Sequence, residues 1–318
     1  MDIEILLILQ EFRNGSGAIL ADFLAKMTFL TELSTALVIM ALIYWAVSKD
    51  LGTYLFMGWS GNRLANGFLK VTFCAYRPWI RDPRIVPHGN AITTATGYSF
   101  PSGHTMNAAT MFGGGMMRSE LPVLLRVLLG VMLAMVAFSR MFLGVHTPQD
   151  VLVGAAAGLL VMWLTLKLMS WIAEDTKRDR IVVCIGLVLA AAVSAYAAFK
   201  PYPADYDAAG KLIVDGAKMA NDTFKGCGYC IGFLVGWFLE RRYVNFSTDI
   251  PVPQKLSRAT SGLVSYYAVS LIFVPLIKGW IPGPAGTLIS CFLQVFYVAF
   301  IFPWLTVRYE KKHLNQGT

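Results

Sequence analysis

The sequence predicts an all-α protein that crosses the membrane many times, and three observations predict it. Of 318 residues, 56% are hydrophobic and only 14% charged. The mean hydropathy is +0.56, and apolar runs of bilayer length recur along the whole chain. A water-soluble domain of this size needs more charge to cover its surface, so a soluble globular protein is excluded. The net charge of +8 belongs with lipid headgroups and topology rather than with nucleic acid.

A bilayer core takes about 20 apolar residues per helix. On that measure the predicted spans are 30–48, 51–72, 102–118, 121–139, 149–172, 180–199, 224–240, 259–277 and 284–307. Before them, MDIEILLILQEF carries Asp2 and Glu4 where a signal peptide carries Lys or Arg, and reads as a short helix lying along the interface. Within the last run, Pro282, Pro284 and Pro303 predict an interfacial approach and a kink. Gly113, Gly114 and Gly115 let helices pack closely, and Trp79, Trp163, Trp171, Trp280 and Trp304 suit interfacial belts. Two polar segments interrupt the spans, 77–101 and 200–223. The first, with Pro78, Pro83, Pro87, Gly89 and Gly97, makes neither a span nor a regular helix and must fold over a membrane face or into a cavity. No linker divides the chain: residues 1–200 read as a core of six helices and 201–318 as about three further spans of the same membrane unit.

The five cysteines sit mostly in apolar runs, where a thiol is a small hydrophobe, and imply no disulfide framework. Cys227 and Cys230 form a C-x-x-C, but no second ligand pair accompanies them, so neither a metal nor a cofactor is predicted.

Ionisable residues beside membrane helices are costly and usually functional, and three stretches concentrate them. In the first, Lys70 and Arg77 stand seven apart, two turns, and share a face if the helix runs on to Pro78. The second, Phe100-Pro101-Ser102-Gly103-His104-Thr105, opens a charge-free run, and its free backbone N–H groups attract an anion. In the third, Ser139-Arg140 is followed by His146 and then Asp150, four residues on, where a carboxylate can hold one imidazole nitrogen. Three cations, an anion-binding helix end and two histidines make a phosphate site with a nucleophile and an acid. Lys70, Arg77 and Arg140 neutralise nonbridging oxygens. A neutral His146, oriented by Asp150, attacks phosphorus, and protonated His104 donates to the leaving oxygen.

These stretches, Lys-x6-Arg-Pro, Pro-Ser-Gly-His and Ser-Arg-x5-His-x3-Asp, resemble in order and content the signature of the type 2 phosphatidic acid phosphatase superfamily of membrane lipid phosphatases. The resemblance covers residues 70–150 by motif and extends to about 200 by helix count. It implies that Lys70, Arg77, Ser102, Gly103 and Arg140 bind phosphate, that His104 is the acid/base, and that His146 is the nucleophile with Asp150 its partner. It further implies metal independence and a six-helix core. The chain departs from the minimal pattern in its C-terminal extension; relatives with extra helices include glucose-6-phosphatase, which keeps a sugar phosphate among the substrates.

The expected activity is thus hydrolysis of a lipid phosphomonoester or pyrophosphate drawn from the bilayer. A lipid-to-lipid or lipid-to-glycan phosphotransferase, a sugar-phosphate phosphatase and a non-catalytic anionic-lipid transporter are the alternatives. Two spans separate Pro101 from Arg140, so the motifs return to one membrane face. The alternation sorts Lys49, Arg118, Arg178, Arg241, Arg242 and Arg308 onto the opposite face. The excess of Lys and Arg there marks it as cytoplasmic, which puts the site on the extracytoplasmic side of a plasma membrane. Outside the motifs, His88 reads as a solvated loop histidine, and Arg81 and Arg84 as a wet, charged loop or a headgroup contact.

Overall fold

The computed structural model describes residues 2–15 and 17–313, and they are predominantly helical. In chain order the helices are α1 (Asp2–Gly15), α2 (Ala18–Thr28), α3 (Leu33–Leu42), α4 (Lys49–Phe73), α5 (Pro78–Arg81), α6 (Ala91–Thr94), α7 (Gly103–Ala108) and α8 (Gly114–Met116). There follow α9 (Val123–Phe142), α10 (Pro148–Glu174), α11 (Arg178–Phe199), α12 (Gly216–Tyr243), α13 (Val252–Trp280), α14 (Pro284–Phe296) and α15 (Phe302–His313). Among the described residues the extended backbone pairs only at an isolated bridge, Tyr206 with Leu212.

The chain is an integral membrane protein. Five of these rods are long and apolar enough to cross a bilayer: α9, α10, α11, α13 and Pro284–Lys312. The bent pair Ala18–Thr31 and Leu33–Val47, with 56° between its arms, passes as a sixth. The other predicted spans are helical too. However, α4 carries Asn62, Arg63, Asn66 and Lys70, and α12 carries Asn221, Asp222 and Lys225, which dilute their apolar character. Segment 77–101 holds only the four-residue α5 and α6, as its prolines and glycines predict. Of the polar segment 200–223, the part from Gly216 on is already α12, because the Asp215 carboxylate caps the N–H groups of Ala217 (2.9 Å) and Lys218 (3.2 Å).

Two compact units make up the chain. The first comprises Met1–Ala36, Ala65–Leu164 and Ala197–Ala220, the second Leu37–Leu64, Thr165–Tyr196 and Asn221–Thr318. Inside the first, the backbone opens to an extended ψ of 149° at Glu32, and the Thr31 carbonyl accepts from Asn107 Nδ2 (2.9 Å). Helix α9 packs against α1, α2 and α7, around a cluster that includes Ala21, Leu24, Phe142 and Val145. Helix α10 meets α7 through Gly154 and Gly158. A Cβ on Gly154 would lie 3.1 Å from the Ser102 carbonyl oxygen, and one on Gly158 2.5 Å from Ala109 Cβ. Only a bare backbone approaches so closely.

Helix α1 ties down the loop after α5. Arg13, buried, donates to the carbonyls of Phe142 (2.8 Å) and Val86 (2.7 Å). Arg81 pairs with Asp2, and Arg84 with Glu4 and Asp82. His88 differs from the solvated residue expected: its Nε2 lies 2.8 Å from Asp22 Oδ1 and its N–H donates to Leu143 O. Its partner comes from α2, 66 residues away, beyond the reach of local sequence reading.

Within the second unit, the rod from α14 to α15 widens by one residue over Tyr297–Ile301. Pro303 has no N–H for the Ala299 carbonyl four residues back. That oxygen instead accepts from Tyr44 Oη (3.3 Å), and the adjacent Val298 carbonyl from Trp45 Nε1 (2.8 Å). The kink expected at Pro303 is therefore a wide turn, with its freed carbonyls satisfied from α3's continuation.

Candidate active site

The motif residues converge in the first unit, and local backbone events bring them there. Helix α4 ends at Phe73, because Cys74 takes φ +48° and turns the chain out of the helix. Lys70 and Arg77 therefore do not share a helical face, contrary to the condition on which the sequence spacing relied. Arg77 arrives instead as the residue preceding α5, whose first position is Pro78. From the last turn of α4, Lys70 Nζ donates to Tyr98 O (2.8 Å).

Arg77 is 97% buried and acts as a clasp between two loops. Its Nε donates to Gly97 O (3.0 Å), its Nη2 to Thr96 O (3.3 Å), and its Nη1 to Val145 O (3.0 Å). Nη1 also lies 2.9 Å from His146 Nε2. A guanidinium only donates, so Nε2 is the unprotonated nitrogen of a neutral ring. The proton then sits on Nδ1, which lies 3.3 Å from Asp150 Oδ2. Burial, then the charge of Arg77, holds the His146 imidazole well below its ordinary pKa, in keeping with that neutral form. The burial of Arg77 itself and the nearby charge of Arg140 push its guanidinium below its usual value, a strain that a bound anion relieves.

Asp150 has two tasks. Its Oδ2 accepts the Thr147 N–H (2.8 Å), while Thr147 Oγ1 accepts the Asp150 N–H (3.4 Å), a reciprocal cap on the first turn of α10. The same oxygen faces His146 Nδ1. A residue that the sequence reading missed completes the group: Ser99 Oγ donates to Asp150 Oδ2 (2.5 Å) and stands 3.4 Å from His146 Nδ1. A serine in an irregular polar loop gives no sequence signal, and only the folded loop brings it 51 residues forward to Asp150. Removing a charge-assisted bond of this kind costs about 1.5–3 kcal/mol. Ser99→Ala should therefore lower kcat about tenfold with KM unmoved, since Ser99 holds the orienting carboxylate rather than phosphate, and Ser99→Thr should recover part of it. Equal kcat values in wild type and Ser99→Ala would remove Ser99 from the group.

Ser102 caps α7: its Oγ accepts from Thr105 N (3.4 Å) and Oγ1 (3.0 Å), and its N–H donates to Asp150 O (2.9 Å). Gly103 and His104 begin the helix, with first-turn N–H groups that lack intrahelical partners by position. His104 is half-buried on the first turn of α7. Its Nε2 has no partner among the described residues.

Arg140, on the last turn of α9, is the most exceptional member. It is fully buried, and none of its three guanidinium nitrogens has a hydrogen-bond partner among the described residues. Its carbonyl accepts the N–H groups of Val145 (3.1 Å) and His146 (3.2 Å), which fixes the His146 loop to the helix end. A buried cation without donors satisfied is expensive, and a tetrahedral oxyanion is the ligand whose oxygens match its fork. No cluster of three or more His, Cys, Asp or Glu suited to a metal occurs among the described residues. The arrangement can grip one phosphoryl group, attack it from His146 Nε2 and protonate what leaves.

Comparison with known proteins agrees with the motifs. The sequence profile of the PAP2 superfamily matches residues 32–174, and that of the PAP2 superfamily phosphatase transmembrane extension matches 224–314. Phosphatidylglycerophosphatase B of Bacillus subtilis (strain 168) is 33% identical over 121 residues, 36% of this chain and 55% of the relative. The protein of the same name from Escherichia coli (strain K12) is 35% identical over 81 residues, 25% of this chain and 30% of the relative. The aligned stretches thus span about half of the first relative and under a third of the second. The crystal structure of a transmembrane PAP2 type phosphatidylglycerolphosphate phosphatase from Bacillus subtilis aligns with 54% of this chain and 85% of its own, at 27% identity and a TM-score of 0.44.

Proposed function

Because the chain belongs to the PAP2 superfamily, we propose that it is a membrane-embedded phosphatase that hydrolyses a lipid phosphomonoester or pyrophosphate through a phosphohistidine. The observation that carries this reading is Arg140, a buried guanidinium whose three nitrogens have no hydrogen-bond partner among the described residues, beside His146, whose Nε2 lone pair faces Arg77 Nη1.

The steps balance without a further reactant. Lys70, Arg77, Arg140 and the N–H groups of Gly103 and His104 take the nonbridging oxygens. His146 Nε2 forms a bond to phosphorus as the bond to the lipid oxygen breaks, and His104 gives that oxygen its proton. Asp150 steadies the imidazolium on Nδ1. Water then attacks phosphorus as the bond to Nε2 breaks, its proton passes to His104, the electron pair returns to His146 Nε2, and phosphate is released. The loop 77–101 covers the site and shapes headgroup access, and the substrate arrives laterally from the outer leaflet. In this reading residues 1–200 form the phosphatase core and 201–318 the added helices.

The test is release of phosphate by the detergent-purified chain from phosphatidate, phosphatidylglycerol phosphate and an isoprenyl pyrophosphate, with glucose 6-phosphate as the soluble control. Turnover of a lipid, an acid-labile phosphoenzyme and full activity in EDTA are expected. The rate needs His146 neutral and His104 protonated, so a bell-shaped pH profile is expected, and its acid limb, set by His146, should lie below the ordinary imidazole range because burial disfavours that imidazolium. No release from any of these lipids, or label passed to a second lipid instead of water, would refute the reading.

A further inference from the structure

The second unit holds a polar cavity of about 770 Å³ that the proposed reaction does not use. It forms where the first turns of α4 and α11 and the last turn of α12 end, the depth at which membrane helices meet headgroups. Its frame is set by Glu240, fully buried. Glu240 Oε1 accepts Lys49 Nζ (2.8 Å) and the Phe246 N–H (2.9 Å), and Lys49 Nζ also donates to Asn245 Oδ1 (3.2 Å). These bonds satisfy Lys49 and leave it structural.

Two other lining groups are only half used. Asp179 is 96% buried; its Oδ2 accepts from Arg241 Nε (2.9 Å), whereas its Oδ1 has no partner among the described residues. Arg241, over the ring of Trp237 at 5.4 Å, commits its Nε to that bond, and the neighbouring Arg242 is exposed on the same wall. The cavity thus offers a guanidinium edge and a second arginine to an anion, next to a buried carboxylate oxygen that lacks a donor.

We propose that this cavity binds a phosphate ester that also carries a hydroxyl or ammonium donor, the chemistry of a phospholipid headgroup. The phosphate sits on Arg241 and Arg242, and the donor serves Asp179. The alternation of spans assigns Lys49, Arg241 and Arg242 to the cytoplasmic face, so the lipid is one of the inner leaflet. This site is separate from the motif residues and does not rest on their chemistry.

The experiment is native mass spectrometry of the delipidated full chain, titrated with dioleoyl phosphatidylglycerol or dioleoyl phosphatidylethanolamine, each alone and against soluble glycerol 3-phosphate. Wild type should retain one lipid more tightly than Arg241→Gln and Asp179→Asn, with affinity lowered at least about tenfold in each. Arg242→Gln changes an exposed side chain, keeps the fold and should weaken binding by a smaller factor. Lipid binding that glycerol 3-phosphate does not displace assigns the lipid; displacement at comparable concentration assigns a free phosphate ester of the same chemistry. Binding unchanged in both Arg241→Gln and Arg242→Gln, or lost instead in Arg140→Met, would overturn the proposal.

Discussion

His146→Asn is expected to abolish turnover while leaving the fold in place. The asparagine amide can reproduce the Nδ1–H donation toward Asp150 Oδ2, 3.3 Å away in the native ring, so the cap on α10 survives, but nothing replaces the Nε2 lone pair. The loss should be on the order of 10⁴-fold or more in kcat, with no phosphoenzyme trapped, as for nucleophiles that act as one unit with their neighbours. Phosphate release within about tenfold of wild type would show that His146 does not attack phosphorus. The thermal midpoint serves as the control, and it should stay close to that of the native chain.

The second large effect runs in two directions at once. Arg140→Met should cost about 10² to 10³ in kcat, the loss that follows removal of a preorganised donor to a developing oxyanion. The same change should stabilise the unliganded protein, because it exchanges a fully buried cation without hydrogen-bond partners among the described residues for an apolar chain of similar length. Replacing buried charge by packed apolar groups is often worth about 1–4 kcal/mol. The midpoint of thermal unfolding should rise by several degrees in Arg140→Met, and orthovanadate should raise it in wild type alone. A variant that melts lower than wild type and still responds to vanadate would mean that Arg140 is a structural residue with a partner of its own. A rise of that size would mark a position where the native chain gives up stability to hold a ligand.

Much of this was legible in the residues, for a physical reason. Charged and titratable side chains are so costly in an apolar sequence that Lys70, Arg77, His104, Arg140, His146 and Asp150 stood out without any knowledge of the fold, and their order along the chain prescribed a common membrane face. Helices were equally plain, since a bilayer demands internally satisfied backbones. What escaped were contacts made by ordinary residues through long loops. Ser99 reaches Asp150 only once the 77–101 segment has folded. Asp22 reaches His88 from α2, and the exit of α4 at Cys74 turns on one positive φ that no side chain there announces. Nor did the helix-length ruler foresee that the polar stretch after Asp215 would coil.

The contact of Arg77 Nη1 with His146 Nε2, at 2.9 Å, carries a consequence for the resting protein. A lone pair already engaged by a guanidinium is quiet toward stray electrophiles, so, if His146 is the nucleophile proposed above, it is shielded at rest from adventitious acylation. An arriving phosphoryl group competes for that same guanidinium, and in drawing it away it uncovers the nitrogen that will attack. On the proposed mechanism, arming and occupancy are then one event: the reagent is released only by the molecule it is meant to cleave.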